Sequence, residues 1–131
     1  MEAGESPDGK MKFNLLPPAI VIYTDDLPEG VGGQAVRCVV SIRPKYEHDE
    51  GLLHHELTHV WQWWLTLFLH SILYPNVRRY RLRAEAMAYR VQMRYPDANG
   101  VPLTLDGAVA KLMALRYDLG LTVEEARRWL Q

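Results

Sequence analysis

The chain has 131 residues, one domain's worth. Its 48% hydrophobic and 24% charged residues supply a core and argue against wholesale disorder. Lys and Arg total 15 against 16 Asp and Glu, a net charge of −1, which removes any global electrostatic case for binding nucleic acid or an anionic membrane. The single cysteine, Cys38, can form neither an internal disulfide nor a four-cysteine zinc ribbon and reads as a small buried apolar residue.

Residues 1–12 are rich in Gly, Pro and charge, with no apolar core of a signal peptide. They read as a flexible tail ahead of a single domain over 13–131. Pro17-Pro18 blocks a helix, and the β-branched run 19–23 reads as a strand, with a further strand hidden somewhere in 13–23. The Asp-, Pro- and Gly-dense segment 25–33 is a loop, and 35–42 reads as a second clear strand closed by Pro44.

A long helix is expected from Asp49, its cap, to Leu73, stopped by Pro75. Its most apolar part, 60–74, is too short to cross a bilayer and holds Gln62 and His70. With neither span nor signal peptide, a cytoplasmic location is expected. A second helix is expected over 77–94, a turn at 97–102, and a third helix over 105–118 ending near Gly120. A last helix opens on Thr122-Val-Glu-Glu125, a capping box. Strands before helices predict an α+β domain, a small sheet on helices with a helical hairpin at the C-terminus.

The chemistry concentrates in His55-Glu56-Leu57-Thr58-His59, H-E-x-x-H inside the first helix. Residues i and i+4 lie one turn apart on one face, so His55 and His59 can aim two imidazole nitrogens at one Zn²⁺. Glu56, about 100° round the helix from His55, carries its carboxylate to the open side of such an ion, where it can take a proton from water. Two histidines and a glutamate on a largely apolar helix are costly unless something satisfies them.

Zinc needs a third protein ligand. His70 is eleven residues past His59, about 16 Å along a straight helix, and out of reach on that geometry. His48 precedes the helix and would need a fold-back; His54 points away from the pair. Glu85 shares a face of the second helix with Leu82, Ala86, Tyr89 and Met93, a lone carboxylate on the side expected to pack inward. A metal would satisfy it; a nearby arginine is the other possibility. Ala84, Ala86 and Ala88 permit close helix approach, and the short connection around Pro75 favours an antiparallel pair that sets Glu85 opposite the histidines.

The run His55-Glu-Leu-Thr-His-Val-Trp-Gln62, followed by Glu85-Ala-Met-Ala-Tyr89, resembles the gluzincin type of zinc metallopeptidase, most closely the minimal minigluzincin-like proteins. The resemblance covers about residues 35–95. It implies one zinc held by His55, His59 and Glu85, with Glu56 as general base and acid in peptide-bond hydrolysis. It also implies that the strand Val36–Ile42 lines the cleft and binds an extended peptide by strand addition. Small members of this group can be latent, their cleft covered by their own chain; here the tail 1–12 or the C-terminal helix would do so. Tyr80, Tyr89 and His54 are candidates to stabilise the oxyanion. Glu85-Ala-Met-Ala88 also resembles the ImmA/IrrE-type metallopeptidases, which act on repressor proteins. A non-catalytic, metal-stabilised binding protein is the alternative outside enzymology, and a His₂Glu set accepts divalent ions other than zinc.

Arg79, Arg83, Arg90 and Arg94 form a stripe that reads as a solvated helix face. The segment 119–129 resembles a helix-turn-helix, but Glu124 and Glu125 would repel phosphate, so nucleic-acid binding is not expected. Trp61, Trp63, Trp64 and Phe68 read as a helix buried on several sides, with self-association through them as the other reading.

Overall fold

A computed structural model describes residues 9–67 and 69–131. It is an α+β arrangement of a four-stranded mixed sheet and five helices. The strands are β1 Met11–Asn14, β2 Ala19–Tyr23, β3 Gly33–Val36 and β4 Val39–Ile42. The helices are α1 Glu50–Leu65, α2 His70–Asn76, α3 Arg78–Gln92, α4 Leu105–Leu112 and α5 Val123–Leu130. The sheet order is β1-β2-β4-β3: β1 and β3 are antiparallel to their neighbours, and β2 is parallel to β4.

The sheet departs from the sequence expectation in two places. Met11 and Lys12, read as tail, belong to β1 and pair with Ile22 and Val21; residues 1–8 lie outside the described residues. The strand expected over 35–42 is a hairpin. It reverses at Arg37-Cys38, where Arg37 takes a left-handed φ of 57° with no glycine or asparagine to announce it. Cys38 is therefore half-buried in a turn rather than a core residue.

Alternation along the strands sends Val21, Tyr23, Val40 and Ile42 to one face, where they pack with Leu57 and Val60 of α1. The pairings place Met11, Phe13, Ile20, Ile22, Val36 and Val39 on the opposite face, with Phe13 84% exposed. Arg43 fixes the loop that leads into β3. Its guanidinium donates to the carbonyls of Val31 at 2.7 Å, Pro28 at 2.8 Å and Leu27 at 3.1 Å. That leaves the Gly32-Gly33 backbone lying on α1.

The first helix starts as expected, with the Asp49 carboxylate accepting from Leu52 N at 2.8 Å. It does not run to Leu73. The Thr66 hydroxyl donates back to Gln62 O at 2.7 Å and accepts from His70 N at 3.0 Å, and Leu67 turns left-handed at φ 52°. The chain bends there and α2 begins in a new direction. Pro75 lies inside α2, which ends one residue later. Of the aromatic cluster, Trp61 is 37% exposed and Trp63 and Trp64 are half-buried; Phe68 lies outside the described residues. The helix is thus covered only in part around these rings.

The expected second helix is α3, packed chiefly on α1. Ala84, Ala86 and Ala88 are buried, as close approach requires. The third helix is shorter than expected: α4 stops at Leu112 and a separate 3-10 turn, Leu115–Tyr117, follows. The capping box at α5 forms in full, with Thr122 Oγ1 and Glu125 each accepting from the other's backbone N–H. Helices α4 and α5 pack on each other and on α3, around a second apolar cluster that includes Leu112, Leu119, Ala126 and Leu130. Among the described residues no helix is long and apolar enough to cross a membrane.

Candidate metal centre

Helix α1 lies between the sheet and α3. One side of this helix lies on the sheet; the other turns His55 and His59 toward α3, where Glu85 waits. All three are buried, at 4%, 7% and 2% exposure. His55 Nε2 lies 3.2 Å from Glu85 Oε1, and His59 Nε2 lies 3.2 Å from Glu85 Oε2. Two donors each about 2.0–2.1 Å from a tetrahedral ion are separated by roughly 3.3 Å, so these spacings suit one metal among them. The three side chains together can hold a metal ion.

The polar bookkeeping agrees. Glu85 Oε1 is buried with no hydrogen-bond partner among the described residues, although a carboxylate oxygen seldom stays unsatisfied at such depth. The expected alternative, an arginine partner for Glu85, is not what the described residues show; its ion-pair partners are the two histidines. Burial would lower the pKa of His59, but the Glu85 carboxylate outweighs it and raises it to about 9. Burial would raise Glu85, but the two imidazoles hold it well below the usual carboxylate range.

Gln62 orients His59. Its Oε1 lies 2.8 Å from His59 Nδ1, and its Nε2 donates to Ala84 O at 3.1 Å. A proton on Nδ1 facing Gln62 makes Nε2 the nitrogen open to a metal, once the proton that Nε2 shares with Glu85 in the metal-free ring is displaced. Its sequence signal is its place three residues past His59, on the same helix face.

Glu56 is also buried, and burial raises its pKa against the opposing pull of His55, His59 and Arg116. It faces β3: a methyl group added at Gly33 would meet Glu56 Cγ at 3.5 Å. The carboxylate thus lies between the histidine pair and the free edge of the sheet. Both border a cleft of about 920 Å³, whose walls are the 30–37 segment on one side and α4 with the following turn on the other.

The other sequence candidates separate clearly. His48 has its side chain 83% exposed beside Glu47, away from the centre. His54 stacks on Tyr95 at 3.7 Å and does not border the cleft. Tyr80 does not border it either; its hydroxyl holds His70 Nδ1 at 2.7 Å. Tyr89 does border it, with its ring 4.3 Å from that of His55. The bend at Thr66-Leu67 overturns the distance argument against His70, whose ring centre lies 5.9 Å from that of His59. It still stands outside the group able to share an ion, held by Tyr80. Burial, then the His59 charge, lower its pKa to about 4.

Several residues around the centre carried no sequence signal. The Tyr74 hydroxyl donates to Glu85 Oε2, brought there by the bend before α2. The Tyr117 hydroxyl shares a 2.5 Å hydrogen bond with that of Tyr89 and accepts from Arg116 Nη2 at 3.2 Å. Burial raises the pKa of all three tyrosines. They stay protonated and able to donate at neutral pH. Arg81 of α3 fixes two of them by their backbones, donating to Tyr117 O at 2.7 Å and Tyr74 O at 2.8 Å.

Helix α5 contributes no residue to the cleft lining, so the C-terminal helix does not cover the centre. The stripe Arg79, Arg83, Arg90 and Arg94 is exposed to solvent and lines no part of it. No protein-family model matches this chain, and no curated protein or solved structure matches it either.

Proposed function

We propose that the chain is a zinc-dependent metallopeptidase of the gluzincin type, with His55, His59 and Glu85 as ligands and Glu56 as the general base and acid. The observation that carries this reading is the pair of 3.2 Å separations from the two imidazoles to Glu85, with Glu56 buried next to them at the edge of an open cleft. Zinc, when bound at such a site, lowers the pKa of water and polarises a carbonyl.

The chain's own residues supply the rest. Glu56 takes a proton from the attacking water and passes it to the leaving amine nitrogen as the C–N bond breaks. Its upward shift by burial suits a group that must both accept and return a proton near neutral pH. Gln62 holds the His59 tautomer, and Tyr74 holds Glu85. Tyr89 and Tyr117 border the cleft, and of their two mutually hydrogen-bonded hydroxyls one keeps a proton to donate, suited to a developing oxyanion. The free edge of β3 offers backbone groups to an extended peptide, which supports strand addition as the mode of substrate binding. A repressor-type substrate, as for the ImmA/IrrE group, uses the same residues and differs only in what is cleaved.

The experiment is hydrolysis of a broad peptide pool by the zinc-loaded protein, by the chelated protein and by Glu56→Gln. Cleavage by the wild type alone, with Glu56→Gln still binding one zinc per chain, supports the reading. Bound zinc with no cleavage by the wild type would leave a metal-stabilised fold without catalysis.

A further inference from the structure

The charges around the cleft carry information about its ligand. Three cations line it, and they come from both walls: Arg37 closes the β3–β4 turn, while Lys111 and Arg116 belong to α4 and the turn after it. Among the described residues none of the three makes an ion pair. The acidic residues of the lining are Asp49, Asp97, Glu56 and Glu85. A divalent ion at the centre would balance Glu56 and Glu85. That leaves three cations against Asp49 and Asp97. Asp49 is engaged as the cap of α1, and Asp97 accepts from the backbone N–H groups of Asn99 and Val101. In a chain of net charge −1, the unspent charge of this cleft is positive.

Arg116 is the best placed of the three. Its guanidinium sits over the Tyr117 ring, 4.8 Å from the centroid, and among the described residues donates only to the Tyr117 hydroxyl. Its charge reaches Glu56 and Glu85 without pairing with either. A planar fork held on an aromatic face beside a reaction centre is suited to receive a carboxylate. Arg37 marks a second position. A methyl at Gly32 would meet Leu52 and one at Gly33 would meet Glu56, so β3 and α1 run the same way. Arg37 therefore lies beyond Glu56, about 13 Å along the strand from Gly33, or roughly four residues of an extended peptide.

We infer that the cleft selects an extended acidic peptide, with Arg116 and Lys111 on the helical wall and Arg37 at the end of β3 receiving its carboxylates. This rests on the peptidase reading and names the substrate class for the same site. Attraction of this kind acts mainly through encounter and selectivity, and it weakens as salt screens it.

The test uses zinc-loaded Glu56→Gln protein and three fluorescein-labelled decapeptides of matched apolar content, bearing Glu, Gln or Lys at the same positions. Anisotropy titrations at 50 and 300 mM salt are expected to give the Glu peptide roughly tenfold tighter binding than the Lys peptide at low salt, with the gap closing at high salt. Adding Arg37→Glu, Lys111→Glu and Arg116→Glu together is expected to reverse the order; circular dichroism and zinc content check its fold, and Lys111→Glu alone should narrow the gap if the triple variant misfolds. Equal binding of all three peptides, or a preference that survives the charge reversals, overturns the acidic-substrate inference and leaves the peptidase reading intact. Binding of none of them, with no cleavage of the peptide pool by wild type, overturns both.

Discussion

Glu85 Oε2 lies 3.2 Å from His59 Nε2, although the two residues sit on different helices joined through a sharp bend and a third helix. The contact joins the H-E-x-x-H helix to α3 where a buried carboxylate meets a buried imidazole pair. The expected consequence is metal binding that depends on α3. Wild-type protein should carry about one zinc per chain by elemental mass spectrometry. Glu85→Ala should weaken binding by roughly a hundredfold or more, since a His₂ pair alone leaves the ion half-coordinated. Zinc retained at wild-type affinity in that variant would move the third ligand elsewhere.

Gln62 is predicted to matter almost as much without touching the ion. Gln62→Leu removes the acceptor that fixes the His59 tautomer and leaves Ala84 O without its partner. Zinc affinity, read by chelator competition, should fall about 10–100-fold. An unchanged affinity would mean that the His59 ring needs no such support.

The metal-free protein should lose stability as the pH rises, and zinc should stabilise it more there. In the metal-free protein the His59 pKa is raised to about 9 from an unfolded value near 6.5. The stability it contributes is complete below about pH 6.5 and lost as the pH rises to about 9. Glu85 is shifted down, so its contribution is present above its unfolded value near 4.5 and lost as the pH falls below it. The chelated protein should therefore melt highest between about pH 4.5 and 6.5. The rise in melting temperature on adding zinc should grow from pH 6.5 to 9, because metal displaces the His59 proton. Differential scanning fluorimetry across this range, with chelator or with zinc, reads both trends. A zinc-induced rise that shrinks with pH would contradict them.

Arg81 is predicted to hold the tyrosine wall together. Its fork reaches the carbonyls of Tyr117 and Tyr74, which lie on opposite sides of α3 in sequence. Arg81→Lys cannot reproduce that geometry and should cost about 2–3 kcal/mol in urea denaturation. Peptide hydrolysis should fall by more than the loss of folded protein explains, because both tyrosines border the centre.

Gly51 is predicted to be required for packing rather than for any unusual backbone angle. A methyl group there would meet Gln92 Cγ and Tyr95 O, each at 3.1 Å. Much of that contact is backbone, which cannot move aside cheaply. Gly51→Ala should lower stability by about 1–3 kcal/mol and tilt α1 against α3. A variant as stable as wild type would show that the two helices can separate without cost.

The local signals were legible in the sequence because each acts over a few residues. The spacing of His55 and His59 follows from helix periodicity, the α1 start from Asp49, and the α5 start from its capping box. The lone Glu85 on an otherwise apolar and alanine-rich face announced a buried carboxylate; the link expected around Pro75 is instead a bend at Thr66-Leu67 followed by α2, with Pro75 inside that helix. What the sequence could not decide were the reversals without Gly or Pro. Arg37 turns the expected long strand into a hairpin, and Thr66 with Leu67 breaks the expected long helix. Both depend on contacts made only once the chain is packed. That second break has the larger effect, since it swings α2 back and delivers Tyr74 to Glu85. Sequence alone thus set the chemistry of the centre, two imidazoles and two carboxylates on helical faces. Tertiary structure decided which further groups surround it, because Tyr74, Tyr117 and Arg116 arrive from segments that no local periodicity connects to the H-E-x-x-H helix or to Glu85.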